Sequence, residues 1–167
     1  MQRDPRHTLV RRFIGRFLLL TFLGAGAVQF DIAVQDGCAL DHINHATAAV
    51  VAGGMHAIGM VVEVTEARIQ YGPHTFLVMT DCTGIDVRAL FLAAVIAVPS
   101  TWRQKSIGAI GGVPLLAALN IVRIASLVYL GSHWPTAMEY GHLYVWPLFA
   151  MMGSVTAWLA WVVYAVS

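Results

Sequence analysis

The chain has 167 residues, 58% of them hydrophobic and only 11% charged, with a mean hydropathy of +0.70. A soluble domain of that size needs a more polar surface, so the composition points to a single integral membrane domain. A net charge of +1 excludes a basic nucleic-acid-binding stripe, and two cysteines, Cys38 and Cys82, are too few for a disulfide scaffold or a cysteine zinc site.

A helix needs about 20 mostly apolar residues to cross the hydrocarbon core. Four stretches qualify, at about residues 13–30, 83–99, 107–130 and 144–166. The expected fold is therefore an all-α polytopic helix bundle. The first stretch, "FIGRFLLLTFLGAGA", also has the look of a signal peptide with a small-residue site at Ala25 to Ala27. Arg16 interrupts its apolar region, which favours an uncleaved anchor.

Residues 31–81 form the cap between the first two spans. Leu40, Ile43, Thr47, Val50, Gly54 and Ile58 recur at helical spacing. They predict an amphipathic helix around residues 46–62, lying on the membrane or packed on the bundle. Its rival is a fifth span. After it, "VVEVTEARIQ" and "HTFLVMTD" flank "YGP" and predict a short β-hairpin. Lys and Arg bias sets orientation. Arg3, Arg6, Arg11 and Arg12 precede the first span, and Arg103 and Lys105 lie between the second and third. Four spans place both groups in the cytoplasm, and a fifth would separate them. The cap then faces outward.

This topology gathers reactive groups at the outer end. Cys82 precedes the second span. Arg123 lies in the third, about 12 Å below its outer end at 1.5 Å per residue. His142 opens the fourth, after the expected loop "GSHWPTAMEYG". An arginine within a span costs about 2.5–3.5 kcal/mol on insertion scales and marks function. Asn120 shares its face one turn earlier. Asp86, one turn after Cys82, is a candidate counter-ion. Thr83 and Gly84 follow the thiol directly. Nearby positive charge and helix N-termini favour a thiolate. A histidine can take the thiol proton and return one to a leaving amine, and an arginine can stabilise an oxyanion. These parts suffice for acyl transfer through a thioester.

Other readings compete. His42 and His45 are spaced to share a metal, but no third ligand is near, so a solvated helix face is favoured. His133 is the rival base to His142. Cys38 faces an oxidising compartment and can pair with Cys82, which would silence the thiol. Seven histidines raise a haem protein, yet only His142 lies near a span. A non-catalytic membrane subunit that binds or assembles partners in an export system is the non-enzymatic alternative.

"DCTGI", "NIVRI" and "GHLYVW", in that order beside hydrophobic helices, resemble the exosortase/archaeosortase family, most closely its compact H-type members. The resemblance covers about residues 60–166. It implies a membrane cysteine protease or transpeptidase of the cytoplasmic (inner) membrane, with Cys82 as nucleophile, Arg123 as essential arginine and His142 as acid and base. It implies no cofactor and no metal. The implied partners are membrane lipid and exported proteins whose C-terminal signal is a motif, a transmembrane helix and a basic tail. Asp86 and Arg88 depart from the apolar helix expected there.

Overall fold

A computed structural model describes residues 5–34 and 38–166. Helix α1 (Pro5–Val34) precedes α2 (Cys38–Ala57), then strands β1 (Glu63–Thr65), β2 (Arg68–Tyr71) and β3 (His74–Leu77). The short α3 (Thr80–Thr83), α4 (Ile85–Ala97), α5 (Trp102–His133) and α6 (Pro135–Tyr140) follow. A π-helical turn (Gly141–Val145) then runs into α7 (Trp146–Val166). The all-α bundle with a small β element is as expected.

Three stretches are long and apolar enough to cross a membrane: Val10–Asp31, Trp102–His133 and Pro135–Ala165. Their outer surfaces carry exposed Phe22, Leu23, Ile110, Phe149 and Val163, a surface that suits lipid and not water. The expected second span is shorter than the other three. Helix α4 has 13 residues, about 20 Å against a core of about 30 Å. It packs against α1, α5 and α7. Backbone that is not helical is tolerated at membrane depth where protein buries it.

Helices α5 and α7 run antiparallel. A Cβ on Gly141 would meet Leu127, one on Gly153 Leu119, and one on Gly108 Trp161. The expected loop at 131–141 is almost entirely helical. Only Trp134, at φ −140° and ψ 81°, separates α5 from α6. Pro135 sits in the first turn of α6, where its missing N–H has no helical partner to lose.

Helix α2 begins earlier than expected and buries a different stripe: Leu40, Asn44, Ala48, Val51, Ala52 and Met55. Of the expected face, Val50, Gly54 and Ile58 are exposed. Both stripes start at Leu40 and keep helical spacing, and packing chose between them. Ala48, Val51, Ala52 and Met55 meet Ile69 of β2, Val78, and Ile124 and Val128 of α5 in one buried cluster. The cap is thus docked on α5. Asp31, buried near the end of α1, accepts from the backbone N–H groups of Ala39 (3.3 Å) and Leu40 (3.2 Å). It satisfies two donors of the first turn of α2, which helices leave without intrahelical partners.

The expected hairpin is a three-stranded antiparallel meander, β1-β2-β3. Gly72 and Pro73 join β2 to β3, as the "YGP" signal predicts, with Tyr71 opposite His74. The additional turn is at Glu66, whose φ is +56°. It folds "VVEVTEARIQ" back on itself, pairing Glu63 with Gln70. A left-handed glutamate gives no turn signal in the sequence.

Candidate active site

The local fold around Cys82 depends on a break. Helix α3 holds Cys82 for a single turn, and Cys82 N–H donates to Met79 O at 2.8 Å. Gly84, at φ +66°, ψ +25°, then separates α3 from α4. An L side chain is disfavoured there, and a Cβ would stand 3.0 Å from Asn120 Oδ1. Cys82 therefore lies ahead of the long helix on its own turn.

Three side chains satisfy the carbonyls this break exposes. Asn120 Nδ2 donates to Cys82 O (2.9 Å) and Thr83 O (2.8 Å). Arg88 Nη2 donates to Thr83 O (2.9 Å) and Arg88 Nε to Gly84 O (3.2 Å). Thr83, itself buried, donates its hydroxyl to Thr80 O at 2.6 Å. Asn120 is thus a clamp between α5 and the cysteine turn. Arg88, which the sequence presents as an intruding charge, caps it from one turn away.

A cavity of about 300 Å³ opens beside this turn. Cys82 of α3, Arg123 of α5 and His142 of the π-helical turn all line it. Phe76, Met79, Leu127 and Met138 supply apolar wall. Cys82 and Cys38 are both free thiols, so the two are not paired. The extra residue of a π-helical turn often accompanies functional positions, and here it carries His142. His142 has no hydrogen-bond partner among the described residues.

Arg123 faces two spaces. It lines the Cys82 cavity and also a larger groove, about 530 Å³, walled by Phe13 of α1, Leu90 of α4 and Met151 of α7. Its Nε is buried without a hydrogen-bond partner among the described residues. Asp86 lies along the same groove but forms no ion pair with it among the described residues. Among the described residues the guanidinium thus has donor capacity to spare.

The remaining histidines stand elsewhere. His133 is exposed, engages Tyr129 O (2.9 Å) through Nδ1 and meets the Tyr129 ring at a tilt, 4.5 Å between centroids; it does not line the cavity. His56 Nε2 donates to Val62 O at 2.8 Å, tying α2 to the residue before β1. His42 Nδ1 donates to Cys38 O at 2.7 Å.

The family model "Transmembrane exosortase (Exosortase_EpsH)" matches residues 9–165, nearly the whole chain. The chain belongs to the transmembrane exosortase family. It is accordingly a multi-pass membrane protein, consistent with its apolar helices. No curated protein and no solved structure matches this exosortase.

Proposed function

We propose that this exosortase is a membrane cysteine transpeptidase that cleaves the C-terminal sorting signal of exported proteins and passes the acyl group to an acceptor. The observation that carries the reading is that Cys82, Arg123 and His142, from three separate elements, line one cavity. His142 takes the thiol proton as the Cys82 sulfur adds to the scissile carbonyl carbon. The carbonyl oxygen gains charge, and the Arg123 guanidinium stabilises it. His142 then protonates the departing amine, the C–N bond breaks and a thioester remains. The acceptor's nucleophile next adds to the thioester carbonyl and expels the Cys82 thiolate.

The unsatisfied Nε of Arg123 supports this role. A buried donor left unpaired costs about 1–3 kcal/mol. An oxygen that approaches only during reaction recovers that cost in the transition state, where it accelerates chemistry. The substrates are proteins bearing a short motif, a transmembrane helix and a basic tail. The site faces outward from the cytoplasmic membrane on the positive-inside rule, because Arg11 and Arg12 lie near the start of α1 and Arg103 and Lys105 in the first turn of α5, about 20 residues before Arg123. Co-expression of a signal-bearing substrate with wild type or Cys82→Ala tests the reading. The expected result is processing by wild type alone; equal processing by both removes the nucleophile.

A further inference from the structure

Strand β3 has one edge without a strand partner. The sheet order is β1-β2-β3, so β2 covers one side of β3 and, among the described residues, no strand covers the other. Residues along an antiparallel pair take turns at bonding across it. Val78 N–H donates to Ala67 O at 2.8 Å, which fixes whose turn it is. Phe76, opposite Ile69, therefore directs its backbone groups to β2 as Val78 does. Thr75 and Leu77, opposite Gln70 and Arg68, direct theirs to the free edge. Met79 is still extended, at φ −89° and ψ 165°, and its N–H continues the row. No hydrogen bond to these outward N–H groups forms among the described residues.

This edge borders the Cys82 cavity. Side chains alternate between the two faces of a strand, so a cavity over one face meets every second residue. Residues 75 to 79 all line the Cys82 cavity, without a gap. The cavity therefore runs along the edge, with Leu127, Met138 and His142 among its other walls. From Thr75 to Thr80 the chain has no charged residue and no proline. Charge and proline are the usual guards of an edge against a foreign strand. Open donors and acceptors without such guards are a template for one more strand. Depth sets its direction. The Phe76 ring lies against Gly131, while Cys82 O accepts from Asn120. Those two positions on α5 are about 16 Å apart at 1.5 Å per residue. From β3 to Cys82 the chain thus descends from the end of α5 to the level of Arg123.

We propose that the free edge of β3 receives the extended segment that precedes the substrate's transmembrane helix, as a fourth strand parallel to β3. The occupant's identity rests on the transpeptidase reading; the strand-accepting edge rests on the sheet. A substrate that enters from outside and continues into the membrane runs the same way as β3, which makes the pairing parallel. Backbone bonds to Thr75, Leu77 and Met79 hold it in register and lead its scissile carbonyl down to Cys82. One added strand needs about 4.8 Å beside β3. A second copy of the chain would have to bring its whole sheet between β3 and Met138 of α6, so a single extended peptide suits the space better. Recognition through the backbone leaves the segment's side chains largely free to vary.

The probe is a membrane-anchored, signal-bearing substrate with single cysteines placed along the segment before its transmembrane helix. The full chain carries Thr75→Cys with Cys38→Ser and Cys82→Ala, in lipid nanodiscs, and disulfide yields are read by mass. The yields are expected to alternate with a period of two residues, as strand side chains do. Leu77→Pro removes an outward N–H and keeps the bonds to β2, as an edge position allows. It lowers the cross-linking yield, and processing by enzyme that retains Cys82, about fivefold more than Leu77→Ala does, as one lost hydrogen bond implies. Uniform yields, or yields that recur every three to four residues, overturn the added strand. Enzyme–enzyme disulfides in place of substrate adducts assign the edge to a second copy and overturn it too. Period-two adducts without Cys82-dependent cleavage by wild type remove the transpeptidase reading and keep the strand-accepting edge. Cleavage without period-two adducts does the reverse.

Discussion

The two halves of α5 are packed to opposite ends. At its beginning, Thr101 and Gln104 form a reciprocal cap, and Gln104 Nε2 reaches across to donate to Ala165 O at 2.9 Å. Trp161 Nε1 donates back to Gln104 O at 2.8 Å. Gly108 and Gly112, one turn apart, leave room for the rings of Trp161 and Phe91. Close approach at small residues is how helices pack where lipid removes the hydrophobic drive between them. Lys105 donates to Ile96 O at 2.7 Å, satisfying a carbonyl near the end of α4. Gln104, Lys105 and Trp161 tie this half to α7 and to the end of α4, and its work is cohesion.

The second half holds Asn120 and Arg123. Asn120 spends its donors on the backbone beside Cys82, while Arg123 keeps an unpaired Nε at the meeting of two cavities. Nearby His142 is also without a hydrogen-bond partner among the described residues. Unsatisfied polar groups are costly, and under the proposed function the Arg123 Nε is the one a substrate oxygen would satisfy. The contrast separates substitutions that should lower stability from those that should stop chemistry.

The largest effect expected in the open half is at Arg123. Arg123→Lys keeps the charge but removes Nε and the planar fork, and substrate processing falls about 10²-fold or more. Quantitative immunoblotting of cleaved product reads this, with thermal unfolding in detergent close to wild type. Gly84→Ala follows. The left-handed backbone costs an L residue roughly 1–2 kcal/mol, and the Asn120 contact adds to it. Both the melting temperature and processing fall, because the Cys82 turn and the Asn120 clamp move together. In the closed half, Gly112→Val displaces the Phe91 ring and destabilises by about 1–3 kcal/mol. Gln104→Ala, the smallest, costs about 1 kcal/mol through the lost cap. Both closed-half variants lower the melting temperature and leave the maleimide labelling rate of Cys82 unchanged in a Cys38→Ser background. A labelling change there would blur the division between the two halves.

Much of this was legible beforehand, for physical reasons. A thiol, a guanidinium and an imidazole stand out against an apolar background, and their spacing along successive helices brings them to one level. Asn120 was legible as a neighbour of Arg123, one turn away. The sequence hid what tertiary contact decides. Two stripes on α2 share Leu40 and the helical period, and only the docking on α5 distinguishes them. "GSHWPTAMEYG" carries glycine, proline and histidine, so it suggests a loop, yet Pro135 occupies the one helical turn that tolerates it. Arg88 was the opposite case. Its bond to Gly84 O is a local i to i−4 contact, but the broken helix it caps is visible only once Gly84 is seen at positive φ. Opposite charge suggests a pair between Asp86 and Arg123; the fold puts them along one groove without an ion pair among the described residues.

The claim beneath all of this is chemical, that the Cys82 sulfur carries the acyl group. Mass mapping of wild-type enzyme isolated with its substrate tests it directly. The account predicts a hydroxylamine-labile acyl adduct on the peptide containing Cys82 and none on that containing Cys38. Processed substrate accompanied by an unmodified Cys82, at every time point sampled, would contradict it.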